Sequence, residues 1–185
     1  MKLPIVKYGN PILRAKGKCI EQVDERIRSL AADMLETMHA ANGIGLAAQQ
    51  VGAALQLTVL DVSQVEDRPS TMKLNGKEVD PVGAMPLVLL NPKIQLDEEV
   101  ASGDEGCLSF PDMNAEIDRA ISVHVEAETL EGETVRIEAA GLLARALQHE
   151  VDHLNGILFI DRMSSVAKAS LSSRLKRLQK ETTLP

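Results

Sequence analysis

His149, Glu150 and His153 stand in the run Gln148-His149-Glu150-Val151-Asp152-His153, a spacing at which one helix can do metal chemistry. Residues four apart project from the same helical face about one turn from each other, so two imidazoles can bind one cation. Glu150, beside the first of them, can then reach the cation's water as a general base. The bland explanation is coincidence. Against it, the flanking positions Leu142, Leu143, Ala146, Leu147, Val151 and Leu154 are apolar. Two histidines and a glutamate on a buried helix are costly unless something pairs them.

Two imidazoles leave such a site a ligand short, because catalytic sites use three protein ligands and keep one position open for water. No histidine follows His153, and the late Glu181 stands in a charged tail. The third ligand must come from upstream, from His39, His124 or Cys107. His124 falls on the polar side of an alternating stretch, and His39 near a helix end. Cys107 lies in Glu105-Gly106-Cys107-Leu108-Ser109, where the glycine permits close backbone approach. Taken alone it reads as a small buried hydrophobe, as most free cysteines are.

The elements that must position these groups are visible as patterns. Asn10-Pro11 reads as an N-cap and first-turn proline opening a short helical turn. From Asp24 to Ala41, Ile27, Leu30, Ala31, Met34, Leu35 and Met38 recur with a 3.6-residue rhythm, predicting an amphipathic helix closed at Asn42-Gly43. The glycine-rich 43–52 segment suits a backbone packed close to a neighbour. Strands are expected over Gln56–Val62, Leu87–Gln95 (interrupted at Asn91-Pro92) and Ala120–Thr129, the last turning at Glu131-Gly132 into Thr134–Glu138. The stretch 63–86 reads as a long loop or exposed hairpin. Leu142–Leu154 reads as an apolar helix carrying the histidines, Ile157–Ile160 as a short extended piece, and Val166–Lys180 as a final helix. Antiparallel strands around a central helix, plus a C-terminal helix, give an α+β class.

Length and composition bound the rest. At 185 residues, 44% hydrophobic and 25% charged, the chain fits one domain, residues 1–185, with 164–185 a basic helix and tail. Two Phe, one Tyr and no Trp leave few stacking faces for single-stranded nucleic acid. A net charge of −7 argues against DNA as a partner. No apolar run suits a signal peptide or a membrane span, and two cysteines make no disulfide framework. A cytoplasmic location is the expectation.

Three motifs in order, GIGLAAQQ (43–50), EGCLS (105–109) and QHEVDHLNG (148–156), resemble the signatures of the peptide deformylase family. The likeness continues through LVLLNP (87–92) and GLLARALQHE (141–150). It implies a hydrolase that removes the formyl group from the N-terminal formyl-methionine of nascent peptides and releases formate. Cys107, His149 and His153 would hold one divalent metal. The same likeness implies Fe(II) as the native metal, with zinc, nickel or cobalt in preparations. Hydroxide on the metal would attack the formyl carbon with Glu150 as general base and then acid, while the Gln50 amide and the Leu108 N–H receive the oxyanion. Only the family spacing chooses Gln50 over Gln49. Gly43 and Gly45 would line the edge on which substrate pairs as a strand. Ile44, Leu142, Ala146 and the stem of Arg145 would line an apolar pocket for methionine. Glu105 would orient a ligand histidine, with Arg119 paired to it. Two departures stand out: Asn114 where relatives often carry a long side chain near the groove, and a longer 63–86 segment.

From Val166 to Lys180 five cations (Lys168, Arg174, Lys176, Arg177 and Lys180) occur with no acid. They form either a solvated helix face or a ribosome contact. Two other readings compete with a deformylase. An HExxH endopeptidase is disfavoured by the missing downstream ligand. A structural zinc module or inactive ribosome-binding homologue is disfavoured by the lack of a fourth ligand and the retention of Glu150 and Gln50.

Overall fold

The computed structural model describes residues 1–183. Two elements form first in chain order: a 3₁₀ turn at Pro11–Arg14, capped by Asn10, and helix α1, Glu25–Ala40, capped by Asp24, whose carboxylate accepts the Ile27 N–H. Asn42 takes the left-handed conformation that ends α1. Strands β1 (Gly45–Ala47), β2 (Leu57–Leu60), β3 (Ser70–Leu74) and β4 (Lys77–Val79) follow, then a one-turn helix α2 (Pro81–Ala84). Next come β5 (Leu87–Leu96), β6 (Val100–Cys107), β7 (Phe110–Ala120), β8 (Ser122–Glu128) and β9 (Thr134–Gly141). Helix α3 (Leu142–Leu154), a 3₁₀ turn (Phe159–Asp161) and helix α4 (Ser165–Thr183) close the described chain.

Seven strands form one antiparallel sheet in the order β1-β2-β5-β8-β9-β3-β4, and β6 and β7 make a separate hairpin. Helix α3 lies between them. Leu143 and Leu147 are fully buried in a cluster with Leu60, Val123 and Ile137 of the sheet, each contributing about 1.5–3 kcal/mol as an upper figure. A second cluster joins β7 to α4 through Phe110, Ile117, Phe159, Leu171 and Leu175. A third packs Met34 and Met38 of α1 on Leu46, Leu57 and Val59. The α+β frame around a helix bearing His149 and His153, with a further C-terminal helix, is as expected.

The 63–86 segment resolves into the hairpin alternative. Asn75 and Gly76, both at positive φ, make the two-residue turn between β3 and β4. The hairpin is more than an exposed flap, because β3 pairs with β9 in the main sheet. It also caps the metal-bearing helix: the Pro69 carbonyl accepts the Leu142 N–H and Ser70 Oγ the Leu143 N–H. Gly141 lets β9 turn straight into α3, with φ at 75° and a Cβ there only 2.2 Å from the Pro69 oxygen. Two expectations need correction. The 157–160 piece is extended only at its start, at Leu158, because the Asp161 carboxylate accepts the Leu158 N–H and caps a 3₁₀ turn over Phe159–Asp161. Ile121 is partly exposed rather than on the buried face, which Val123, Val125 and Ala127 form.

Candidate metal centre

Cys107 ends β6 where its register with β7 slips between Gly106 and Cys107, which turns the thiol toward α3. His149 and His153 face it from the helix. The ligand atoms of the three residues lie within 4.8 Å of one another, and Cys107 Sγ is 3.3 Å from His153 Nε2. The other histidines stay away: His39 pairs with Asp61, and His124 stands exposed beside Glu138. Of the three upstream candidates, the fold brings only Cys107 to the helix.

His149 is oriented from behind. Its Nδ1 lies 2.9 Å from Glu105 Oε1, leaving Nε2 for the thiol side. Glu105 is held by Arg119, whose Nε and Nη2 donate to the two carboxylate oxygens at 2.9 and 3.0 Å. Arg119 also donates to Asp152, which Arg162 holds in turn. Burial works to raise the Glu105 pKa, but hydrogen bonds and charge from His149 and Arg119 prevail and hold it at about 2. The carboxylate is therefore a permanent anion behind the histidine, an arrangement typical of metal-ligating imidazoles. Burial disfavours charge on His149, yet its partners Cys107 and Glu105 outweigh that and raise its pKa well above the ordinary value. Burial, with the nearby charges of His149 and Arg119, instead lowers the His153 pKa well below the ordinary value, so the two imidazoles face the thiol in different electrostatic settings.

Glu150 is buried, and burial pushes its pKa up to about 7. Its Oε2 has no hydrogen-bond partner among the described residues. Buried carboxylate oxygens are rarely left so, and this one borders the groove in front of the cluster. A thiol, two imidazoles and an orphaned carboxylate oxygen fit a divalent transition ion with an open position.

Gln50 and Gln49 follow each other in a 3₁₀ turn, Ala48–Val51, and point oppositely. Gln49 donates to the Ala15 and Leu154 carbonyls, away from the cluster. Gln50 accepts the Ala47 N–H at Oε1 and directs Nε2 at Ser109 Oγ, 3.2 Å, and Cys107 Sγ, 3.6 Å. A groove of about 460 Å³ opens over this point, within the range of small-ligand sites. Gly43, Ile44, Gly45, Leu108, Leu142 and Ala146 all border it. The glycines serve a closer purpose than room for a ligand. A Cβ on Gly45 would lie 2.4 Å from Glu150 Oε1, and one on Gly43 would lie 2.7 Å from Leu108 Cδ1. Asn114 also borders the groove and donates to Asp104, while the 63–86 segment sends Arg68 to its rim.

Three placements had no sequence signal. Lys7 Nζ donates to the Leu108 carbonyl, 3.1 Å, across 101 residues of chain. Gln148 binds both backbone groups of Ala120, tying α3 to the end of β7. The Arg145 guanidinium, expected only to lend its stem to a pocket, donates to Glu105.

A helix and a hairpin that bring one thiol and two imidazoles together beside a buried carboxyl fit a mononuclear metallohydrolase. Comparison with known proteins narrows the class. The family model described as polypeptide deformylase matches residues 2–169. Peptide deformylase of Methylacidiphilum infernorum is 43% identical over 180 residues, covering 97% of this chain and 94% of the relative. That of Acinetobacter baumannii is 42% identical, covering 97% and 93%. The crystal structure of peptide deformylase from Ehrlichia chaffeensis matches at a TM-score of 0.83 and 35% identity over 100% of both chains. The one from Thermotoga maritima matches at 0.76 and 37%, covering 89% of this chain and 99% of that one. The chain belongs to the polypeptide deformylase family.

Proposed function

We propose that this chain removes the formyl group from the N-terminal formyl-methionine of newly made polypeptides and releases formate. The observation that carries the proposal is the convergence of Cys107, His149 and His153 beside a partnerless Glu150 oxygen. A divalent ion held by those three residues would make water acidic near neutral pH, lowering its pKa from about 15.7 toward 7. Glu150 takes a proton from the attacking water at its free oxygen and later passes it to the departing amine. Burial, which raises the Glu150 pKa, favours a carboxyl that can hold the proton between the two steps. The Gln50 amide and the Leu108 N–H receive the charge that develops on the formyl oxygen. Support for Gln50 comes from its Nε2, aimed at the thiol while Oε1 is engaged elsewhere. Ile44, Leu142, Ala146 and the Arg145 stem take the flexible methionine side chain. The substrate backbone runs along the 43–45 edge as an added strand.

The donor set accepts Fe(II), cobalt, nickel or zinc, and we take Fe(II) as the native ion by likeness to the family. We take the chain as one catalytic unit on which the basic helix α4 packs through Leu171 and Leu175; the last two residues of the 164–185 basic segment lie outside the described residues. By likeness to the family we take the cations of α4, all exposed, as a ribosome contact and the site of action as cytoplasmic. No helix among the described residues is long and apolar enough to cross a membrane. Formate release from formyl-Met-Ala-Ser by anaerobic, iron-loaded protein tests the reaction. The unaltered chain should turn over, and Glu150→Ala should lose about 10²–10⁴-fold in kcat while still binding metal. An unaltered, iron-loaded chain that releases no formate sinks the reading.

A further inference from the structure

Arg145 stands one helical turn before His149 on the same face of α3. Its guanidinium is nearly buried and makes three hydrogen bonds. Nη1 donates to Glu105 Oε2 at 2.9 Å and to the Ile117 carbonyl at 2.7 Å, and Nη2 donates to the Ala101 carbonyl at 2.8 Å. One side chain thus ties the helix carrying two ligand histidines to both strands of the hairpin that carries Cys107.

Its effect on Glu105 follows from counting lone pairs. A carboxylate offers about four acceptor positions. The Arg119 fork takes one on each oxygen, and Arg145 takes the second on Oε2. Only the second position on Oε1 remains, and it meets His149 Nδ1. Without Arg145, a lone pair on Oε2 is left free in a buried place, and nothing but Arg119 fixes the carboxylate's tilt toward the imidazole.

The room for this head group comes from Gly103 on β6. A Cβ there would lie 2.9 Å from Arg145 Cζ and Nη2 and 3.0 Å from Nε. The planar guanidinium lies over the bare backbone, and any side chain at 103 would lift it away.

We propose that Arg145 is a positioning residue for the metal ligand His149, acting through Glu105, and that Gly103 is the gap that seats it. This rests on the metal-centre reading above. The test uses Arg145→Met, which keeps an apolar stem in the methionine pocket, and Gly103→Val, which leaves Arg145 in place but displaces its head. Three experiments are made: Co(II) affinity by chelator competition, imidazole ¹⁵N spectra of the zinc-loaded protein, and steady-state kinetics giving kcat and KM for formyl-Met-Ala-Ser.

Both variants should bind Co(II) about 10-fold or more weakly. They should shift the His149 Nδ1 resonance while leaving those of His153 in place, and lower kcat with KM unchanged. Arg145→Lys, which keeps a cation, should recover part of the affinity. Unchanged Co(II) affinity in either variant, whether or not KM rises, overturns the proposal. Equal shifts at both histidines also overturn it, because they mean general loosening. Should Arg145→Met fail to fold, Gly103→Val and Arg145→Lys carry the same test. An unaltered chain that does not bind Co(II) would remove the metal-centre reading itself, a failure distinct from that of the variants.

Discussion

Gln50 has its carbonyl oxygen committed to the Ala47 N–H before any substrate arrives. Its NH₂ group is thereby fixed toward Ser109 and the thiol, so in the proposed reaction it would receive the oxyanion without reorganisation. Gln50→Leu removes that donor at similar bulk. It should lower kcat by about 10²–10³ and leave KM nearly unchanged, as read from formate-release kinetics. A rise in KM alone would place Gln50 in ground-state binding instead. At this scale the sequence was informative wherever spacing on a regular helix decides direction. His149 and His153 are four apart, whereas Cys107 was one of three upstream candidates and only the family likeness chose it. It was uninformative where direction depends on irregular backbone. Gln49 and Gln50 differ only by their places in one 3₁₀ turn, and composition could not separate them. The Arg145 head was hidden for a related reason, because its destination depends on a glycine 42 positions away being free of a side chain.

At the scale of elements, the site is a meeting of β1, the end of β6 and α3, and its tolerances are set by how closely their backbones approach. Gly45 on β1 touches the Glu150 carboxyl. Its backbone needs no unusual φ, so Gly45→Ala strains packing rather than conformation. That variant should displace Glu150, cutting kcat more than about tenfold while metal content by atomic absorption stays at the unaltered level. Loss of the metal instead would show that β1 supports the ligands and not the base. Helices α1 and α4 were legible because each buries one stripe at the helical period, and α3 because its apolar run is long enough for a helix buried on nearly all sides. Strands β2, β5, β8 and β9 were legible because they alternate or run apolar. The β6–β7 hairpin was not. Val100–Cys107 is mostly exposed and polar, and in β7 the apolar residues Phe110, Met113 and Ile117 break the two-residue period where Asp112 adopts φ 59°. The element that delivers the sulfur was thus the least visible in the sequence.

Across the whole molecule, charge is divided unevenly. The chain carries a net −7, yet Lys168, Arg174, Lys176, Arg177 and Lys180 lie exposed on α4, whose buried edge is anchored by Leu171 and Leu175. Reversing Arg174, Lys176 and Arg177 to Glu together should leave formate release intact and weaken ribosome binding. The dependence of log affinity on log salt should flatten by roughly 0.7–0.9 for each phosphate that is no longer neutralised. Sedimentation with ribosomes at several salt concentrations reads both, and unchanged affinity would assign these cations to solvent. The catalytic end depends on a different long-range fact: a hairpin strand and a late helix meeting at one cation. X-ray absorption of the metal-loaded protein reads that shell directly. The prediction is one metal per chain with one sulfur at about 2.3 Å and two nitrogens at about 2.0–2.1 Å for zinc, and with the sulfur absent from the shell in Cys107→Ser. A shell without sulfur in the unaltered protein would contradict it.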